Sequence, residues 1–427
     1  MSVHADHGTH VAQAREGSCE IAIAGGGLVG MSLAVALGRA GIPVILVEAG
    51  KAAGHSDSGY DARPIALSQG SRRILDALGV WDDLSATVTP IGRIHVSDRG
   101  HFGFARLRAE DCGVDALGYV VAAADLGRAL EAALDSVERV RVLRPARVDA
   151  MQCDDMSRAQ LVIAAVGDIP IPALPAHVDA NLVVLCDGGH SPLREALGIP
   201  VHARDYGQLA VTARVAARSN HDGVAYERFT AAGPLALLPM HGNYCGLVWS
   251  MDADGAKQLL SLDDAGFLSA LTEQFGTRLG SFVSAGPRGA FPLQLVTASE
   301  VVGRRLAIIG NAANYLHPVA GQGLNLGLRD AAALAEIISG CLREGGDPGD
   351  ASLLTRYAEC RRQDQKRVSR ATDALVRLFS NRVAPLVIAR GLGLLAFDLF
   401  PPIKRRFGNH AMGLSGHQSR LARGLSL

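Results

Sequence analysis

Cys19-Glu20-Ile21-Ala22-Ile23-Ala24, then Gly25-Gly26-Gly27-Leu28-Val29-Gly30, then an apolar-periodic run to Ala40, reads as a buried strand, a glycine turn and a helix. That order is the pattern of a dinucleotide pyrophosphate site. Gly25 permits the tight turn, Gly27 lets backbone approach the diphosphate, and Gly30 lets helix and strand pack closely, while the helix N-terminus turns free N–H groups toward the anion. Gly41 to Val47 supplies a second buried strand ending at Glu48, 18 positions after Gly30, where a carboxylate suits a ribose hydroxyl pair. Glycine turns are common, so the triplet alone says little; two strands, the helix and the terminal acid in register say much more.

The 427 residues are 48% hydrophobic and 20% charged, enough for one large or two medium domains with real cores. Forty-two basic residues balance 42 acidic ones, so the composition points neither to nucleic acid nor to a wholly cationic membrane-binding surface. The seven cysteines are scattered without paired or zinc-like spacing, so no metal site is expected and a reducing, cytoplasmic compartment is. Residues 1–17 are polar, carry His4, His7 and His10, and read as a disordered leader rather than a signal peptide or membrane span.

After Glu48, residues 49–61 are rich in Gly, Ser, Asp and Ala and predict a mobile loop, with helical spacing resuming at Ala66. Strands are expected between Ile91 and Phe104, over Leu117 to Val121, in a small meander from Val140 to Val166, and at Leu182 to Cys186, a continuous apolar run of the kind buried in a parallel sheet. Four more follow between Leu209 and Met251, and Arg305 to Ile309 returns the chain to the first sheet. The fold class is therefore α/β. A Rossmann-like nucleotide-binding domain is assembled from residues 18–90, 120–200 and 300–345, an inserted, mostly antiparallel substrate domain from 91–119 and 201–299, and a helical region from 346–427.

Two further stretches carry chemistry. Asp187-Gly188-Gly189-His190-Ser191-Pro192-Leu193-Arg194 follows a buried strand directly, at the sheet edge where ligands bind in doubly wound folds. Asp187 is placed to accept from a ribityl or ribose hydroxyl, and Arg194 either meets phosphate or braces the loop. The second stretch runs from Gly310 and Asn311 through His317, Pro318, Gly321, Gln322, Gly323, Leu324 and Asn325 into a helix expected to begin near Leu328. Its glycines offer bare N–H groups and the positive end of a helix dipole, which is what the negatively charged N1 and O2 edge of a reduced flavin needs.

These three motifs, in this order and spacing, resemble the flavin-dependent aromatic monooxygenases of the p-hydroxybenzoate hydroxylase type. Within that family the chain looks most like the ubiquinone-biosynthesis branch that hydroxylates 2-polyprenyl-6-methoxyphenol. The residues behind that choice are Asp61 to Ser68, His95 to His101, Tyr226 to Thr230 with Gly233 to Pro239, and His317 to Gly323. The resemblance spans about Glu20 to Phe407. It implies that Gly25, Gly27, Gly30 and Glu48 hold the ADP half of FAD, that Arg63 lies near the cofactor, and that Asp187 serves both FAD and the nicotinamide donor, NADPH or NADH. It also implies that Gly310, Asn311 and the loop from Pro318 to Asn325 sit against the isoalloxazine. Many relatives carry Asp in place of Asn311 and His in place of Asn314; Asn311 keeps an acceptor but loses charge, and the ubiquinone branch itself tends to carry asparagine there.

The resemblance further implies a reaction in which reduced flavin and O2 give a C4a-hydroperoxide that attacks an electron-rich phenol ring. The protein's share is to orient the ring and exclude water, which calls for an apolar pocket between the inserted sheet and the Pro318 loop. His317 is the candidate for phenol deprotonation, against a structural reading as a histidine before proline in a tight loop. His95, Glu227 and Arg228 are candidates for the same role, against the reading that charges on sheet strands usually face solvent. The apolar segment 384–400 ending in Lys404-Arg405-Arg406 is too interrupted by Arg390 and Asp398 to span a bilayer. It either lies on the inner face of a membrane, collecting a polyprenyl lipid, or packs against the body, a homo-oligomer partner or a ubiquinone-biosynthesis complex. Two other functions stay open: the same machinery acting on a soluble phenolic or polyketide, and a catalytically silent FAD-binding subunit of a biosynthetic complex.

Overall fold

Residues 21–23, 44–47 and 182–185 are buried on both sides, which is the condition of a parallel sheet covered on two faces. In the computed structural model, which describes residues 18–50, 63–153, 158–167, 174–380 and 384–427, these runs form its centre. The expected leader and most of the expected loop after Glu48 lie outside the described residues. Leu306–Ile308, His177–Leu185, Ser18–Ala24, Val44–Val47 and Val140–Leu143 line up in that order, all parallel. Alternate side chains go to opposite layers. Ile21, Ile23, Leu46, Leu182 and Val184 pack against the helices Leu28–Arg39, Ala123–Asp135 and Gln322–Arg343. Ala22, Ala24, Ile45, Val183 and Leu185 pack toward the antiparallel meander Ala146–Cys153 and Ala159–Ala165. Strand Ser18–Ala24 sits between the two chain segments that end at Glu48 and at Asp187, so all three candidate turns open at one sheet edge.

The second sheet runs Asn314–Tyr315, Phe282–Ala298, Val201–Ala217, Tyr244–Asp252, Pro234–Pro239, Val224–Phe229, Arg93–Asp98 and Phe104–Arg108. Only the Val224–Phe229 and Arg93–Asp98 pair is parallel. One face, with Val211, Leu235, Leu237 and Trp249, buries against the helices Ala253–Ser261 and Asp264–Phe275. Asparagine 314 and Tyr315 join this sheet directly after the Gly310 turn, which ties the sheet to the dinucleotide end.

Three sequence expectations change. Ala66 does not begin a helix: Pro64–Ser68 is a strand paired with Gly118–Ala122, and the helix starts at Gln69 with Ser68 as its cap. Sheet pairing of an apolar run outcompetes its helical spacing. The late helix starts at Gln322, not near Leu328, because Gly321 adopts φ +58° and turns the chain straight into it. Strand Phe282–Ala298 was hidden by Gly286, Pro287, Gly289 and Pro292, residues that ordinarily break strands; it survives by pairing along Val201–Ala217 with register shifts between Asp205 and Gln208, Ala213 and Val215, and Ala216 and Ala217.

Helix Ala351–Ser380 is held to Gln322–Arg343 by a buried ionic cluster. Arg361 donates to Asp330 at 2.6 Å and to Asp364 at 2.7 Å, Arg329 donates to Asp364 at 2.8 Å, and Gln365 donates to Asp330 at 3.1 Å. Helices Ala384–Leu399 and Pro401–Ala411 then cross the inserted sheet's outer strands, anchored by a buried Arg390–Asp98 ion pair. Their outer faces expose Ile388, Leu392, Leu399, Phe400, Ile403 and Phe407. Among the described residues, no helix is long and apolar enough to cross a membrane.

Candidate active site

The glycine turn after the first strand is dictated by crowding on one side and openness on the other. Gly25 has φ +105°, and a Cβ there would lie 2.5 Å from the Cys186 carbonyl oxygen. At Gly30 a Cβ would lie 1.9 Å from the Gly25 oxygen, so helix and strand approach as closely as only glycine allows. Gly27 differs: a Cβ there meets no protein atom within 4 Å, and its open side faces a cavity. Glu48 borders the same space and accepts the Gly26 and Gly50 N–H groups, each at 2.5 Å.

Asp187 enters from the neighbouring strand. One carboxylate oxygen accepts from Ser191 Oγ at 2.8 Å, the other is buried with no hydrogen bond among the described residues, and burial pushes the carboxyl's pKa up. A buried orphan acceptor at a cavity wall asks for a donor from a ligand. Arg194 does not meet that space; it donates to Ala312 O at 2.6 Å and Gly189 O at 3.0 Å, bracing the Asp187 turn against the Gly310 turn. Gly310 packs on Val29 rather than lining the cavity, whereas Asn311, Pro318, Gly321, Gln322, Gly323 and Leu324 line it around the helix N-terminus. Asn325 also borders it but spends its amide on protein: its oxygen accepts from Ser68 N and Ser71 Oγ, and its nitrogen donates to Ala66 O and Gly321 O. Arg63 reaches the cavity over the Phe291 ring at 5.6 Å.

The cavity measures about 1540 Å³ and extends well beyond these residues. Single ligand pockets usually fill roughly 300–1,000 Å³, so there is room for a dinucleotide and a second molecule. Its far part is walled by the inserted sheet's free face and roofed by Leu375, Leu378, Phe379, Leu394 and Phe397. Registers place Ala105, Val96, Glu227, Ala236, Val248 and Thr212 in one row across five neighbouring pairs of strands. The row is small and apolar except for Glu227 and Thr212, and all six residues line the cavity. Sequence reasoning left Glu227, His95 and Arg228 between a catalytic role and a solvent-facing one; strand parity, once the registers are known, turns Glu227 toward the cavity and sends His95 and Arg228 to the opposite face. There His95 meets Arg278 at 2.5 Å and packs near Tyr226.

His317 is not among the lining residues. It is buried, its Nδ1 accepts the Val319 N–H at 3.1 Å, Tyr206 stands edge-on to its ring, and burial lowers its pKa to about 4. A neutral, enclosed ring shaping the loop is what this arrangement makes of it.

A model of the FAD-binding domain matches residues 18–372. The chain belongs to the FAD-dependent hydroxylase family. The family includes ubiquinone hydroxylase UbiL of Rhodospirillum rubrum, 40% identical across 96% of this chain and 93% of that protein. It also includes 3-demethoxyubiquinol 3-hydroxylase of Escherichia coli, 33% identical across 92% of this chain and 98% of that protein. The fold matches p-nitrophenol 4-monooxygenase PnpA from Pseudomonas putida with a TM-score of 0.76, covering 94% of this chain and 99% of that one at 19% identity. The open side of Gly27, the orphan oxygen of Asp187 and the glycine-lined helix end fit FAD as the family's cofactor.

Proposed function

We propose that the protein hydroxylates a polyprenyl-tailed methoxyphenol in ubiquinone biosynthesis, taking electrons from NADPH or NADH. The observation that carries this reading is one continuous cavity joining the dinucleotide cradle to a long apolar chamber that ends among the C-terminal helices. When bound, reduced FAD activates O2 and delivers one oxygen atom to the ring. Gly27, Glu48 and Asp187 hold the cofactor, the helix end at Gly321 to Gly323 steadies negative charge on the flavin, and the apolar sheet wall orients the ring and keeps water out. Ubiquinone hydroxylases and a ubiquinone-biosynthesis monooxygenase among the relatives support the pathway.

A lipid-tailed substrate also gives the exposed apolar helix face a use. Ile388, Leu392 and Leu399 on one helix and Ile403 and Phe407 on the next lie beside Arg405 and Arg406, a combination suited to an anionic bilayer surface. Binding to phosphatidylglycerol vesicles that salt weakens and Leu392→Asp abolishes is the expected result. Deleting the gene in its host and profiling quinone intermediates tests the function. Accumulated polyprenyl methoxyphenol is expected, and an unchanged quinone pool would remove the reading.

A further inference from the structure

A carboxyl group set among apolar side chains with no partner is costly, so its position asks for an explanation. Glu227 sits mid-strand in Val224–Phe229 between Val96 on one neighbouring strand and Ala236 on the other, on the sheet face that walls the chamber. Among the described residues no hydrogen bond or ion pair reaches it. Burial alone pushes its pKa up to about 7. The charged groups around it are otherwise engaged or distant: Arg390 pairs with Asp98, Arg63 lies over Phe291, and Arg228, Arg278 and His95 occupy the opposite face. Asp187 and Glu48 stand at the dinucleotide end, a separate part of the wall.

We propose that Glu227 is a catalytic residue: its carboxylate accepts the hydrogen bond of the substrate's ring hydroxyl and then takes its proton. The inference rests on the hydroxylase reading and names the group that prepares the ring. The O–H bond breaks, its electron pair stays on oxygen, and the proton resides on Glu227 until the second atom of O2 leaves as water and consumes it. The phenolate left behind is a more electron-rich ring. A carboxyl with a pKa near 7 suits this task better than an ordinary one, because general bases work best when poised near the working pH. The neighbouring Val96, Ala236 and Val248 give the carboxylate an apolar setting, which raises the cost of its charge until a substrate hydroxyl meets it.

The test uses FAD-loaded enzyme with 2-methoxy-6-geranylphenol and its O-methyl ether as probes. In wild type, infrared difference spectra should show a buried carboxylic acid band that titrates near pH 7, the phenol should bind more tightly than the ether, and kcat/KM should fall on the acid side of the same pH. Glu227→Gln keeps the shape; it should lose the band and the acid limb, lower kcat on the order of 100-fold or more, and bind the ether as wild type does. Glu227→Asp should retain the limb at reduced kcat. An unchanged pH profile in Glu227→Gln, or no Glu227-dependent infrared band, would overturn the assignment. Failure of wild type to oxidise the phenol, with the infrared band and the preference for phenol over ether intact, would sink the hydroxylase reading and leave Glu227 as the group that binds the hydroxyl, without a catalytic role.

Discussion

Gly27 and Gly30 stand three residues apart in one motif, yet alanine should affect them in opposite ways. At Gly27 the backbone has φ −67° and ψ −178°, open to any residue, and a Cβ would touch no protein atom. The unfolded-state gain of roughly 0.4–1 kcal/mol from Gly→Ala is offset by a loss of similar size because alanine caps a helix less well than glycine, so the apoprotein should keep its stability. The methyl would instead stand where a diphosphate must approach, and FAD affinity should fall at least about tenfold, or about 1.4 kcal/mol. At Gly30 the Cβ would lie 1.9 Å from the Gly25 oxygen, so helix and turn must part by more than 1 Å to reach even 3.0 Å. That belongs at the upper end of the roughly 1–3 kcal/mol of overpacked cores, and apoprotein stability should drop with the cofactor absent. Urea unfolding of flavin-stripped protein and calorimetric FAD titration read the two effects separately. Wild-type FAD affinity in Gly27→Ala, or wild-type apoprotein stability in Gly30→Ala, would refute the division of roles.

Three further outcomes follow from buried groups. Arg361→Met strands Asp330 without its cation and should cost about 3–5 kcal/mol in urea unfolding, part of it recovered by adding Asp330→Leu; no recovery would show that the loss lies in the Arg361–Asp364 contact instead. His317 is neutral when folded, with its pKa lowered from 6.5 to about 4, so the unfolded chain binds more protons in that window. Stability should be full above pH 6.5 and erode as pH falls toward 4, and His317→Asn, which retains an acceptor for Val319 N–H, should flatten that loss in urea midpoints taken across the window. Arg390→Met should speed proteolytic cutting within Ala384–Leu399 by leaving the buried Asp98 carboxylate with only His101 beside it; an unaltered digestion rate would show the helix to be anchored by other contacts.

The dinucleotide end was legible because its constraints are local. Gly25, Gly30 and Glu48 obey spacings set within one strand–turn–helix unit, and their neighbours are close in sequence. Asp187 and Asn311 were legible for a related reason, each following an apolar strand at a fixed offset. The chamber was not. Whether Glu227 faces water or the cavity depends on pairing with Val96, 131 positions earlier, and a one-residue slip would reverse the answer. His317 stayed open between two readings for the converse reason: its place beside the glycine loop is evident in sequence, but its enclosure by Tyr206 and Val319 is a product of packing. Of the two readings of Arg194 the brace is the one its bonds match, and Asn325 spends its amide the same way, because carbonyls supplied by distant segments claim their donors.

The roof of the chamber, made by Leu378 and Phe379 of one helix and Leu394 and Phe397 of another, has a consequence for substrate range. For the proposed polyprenyl phenol, a ring seated in the chamber would leave its isoprenoid chain running along these roof side chains. Isoprene units beyond them would touch nothing inside. Catalytic efficiency should therefore rise with the first few units and then level off, which would let one enzyme of this design serve hosts whose quinones differ in side-chain length.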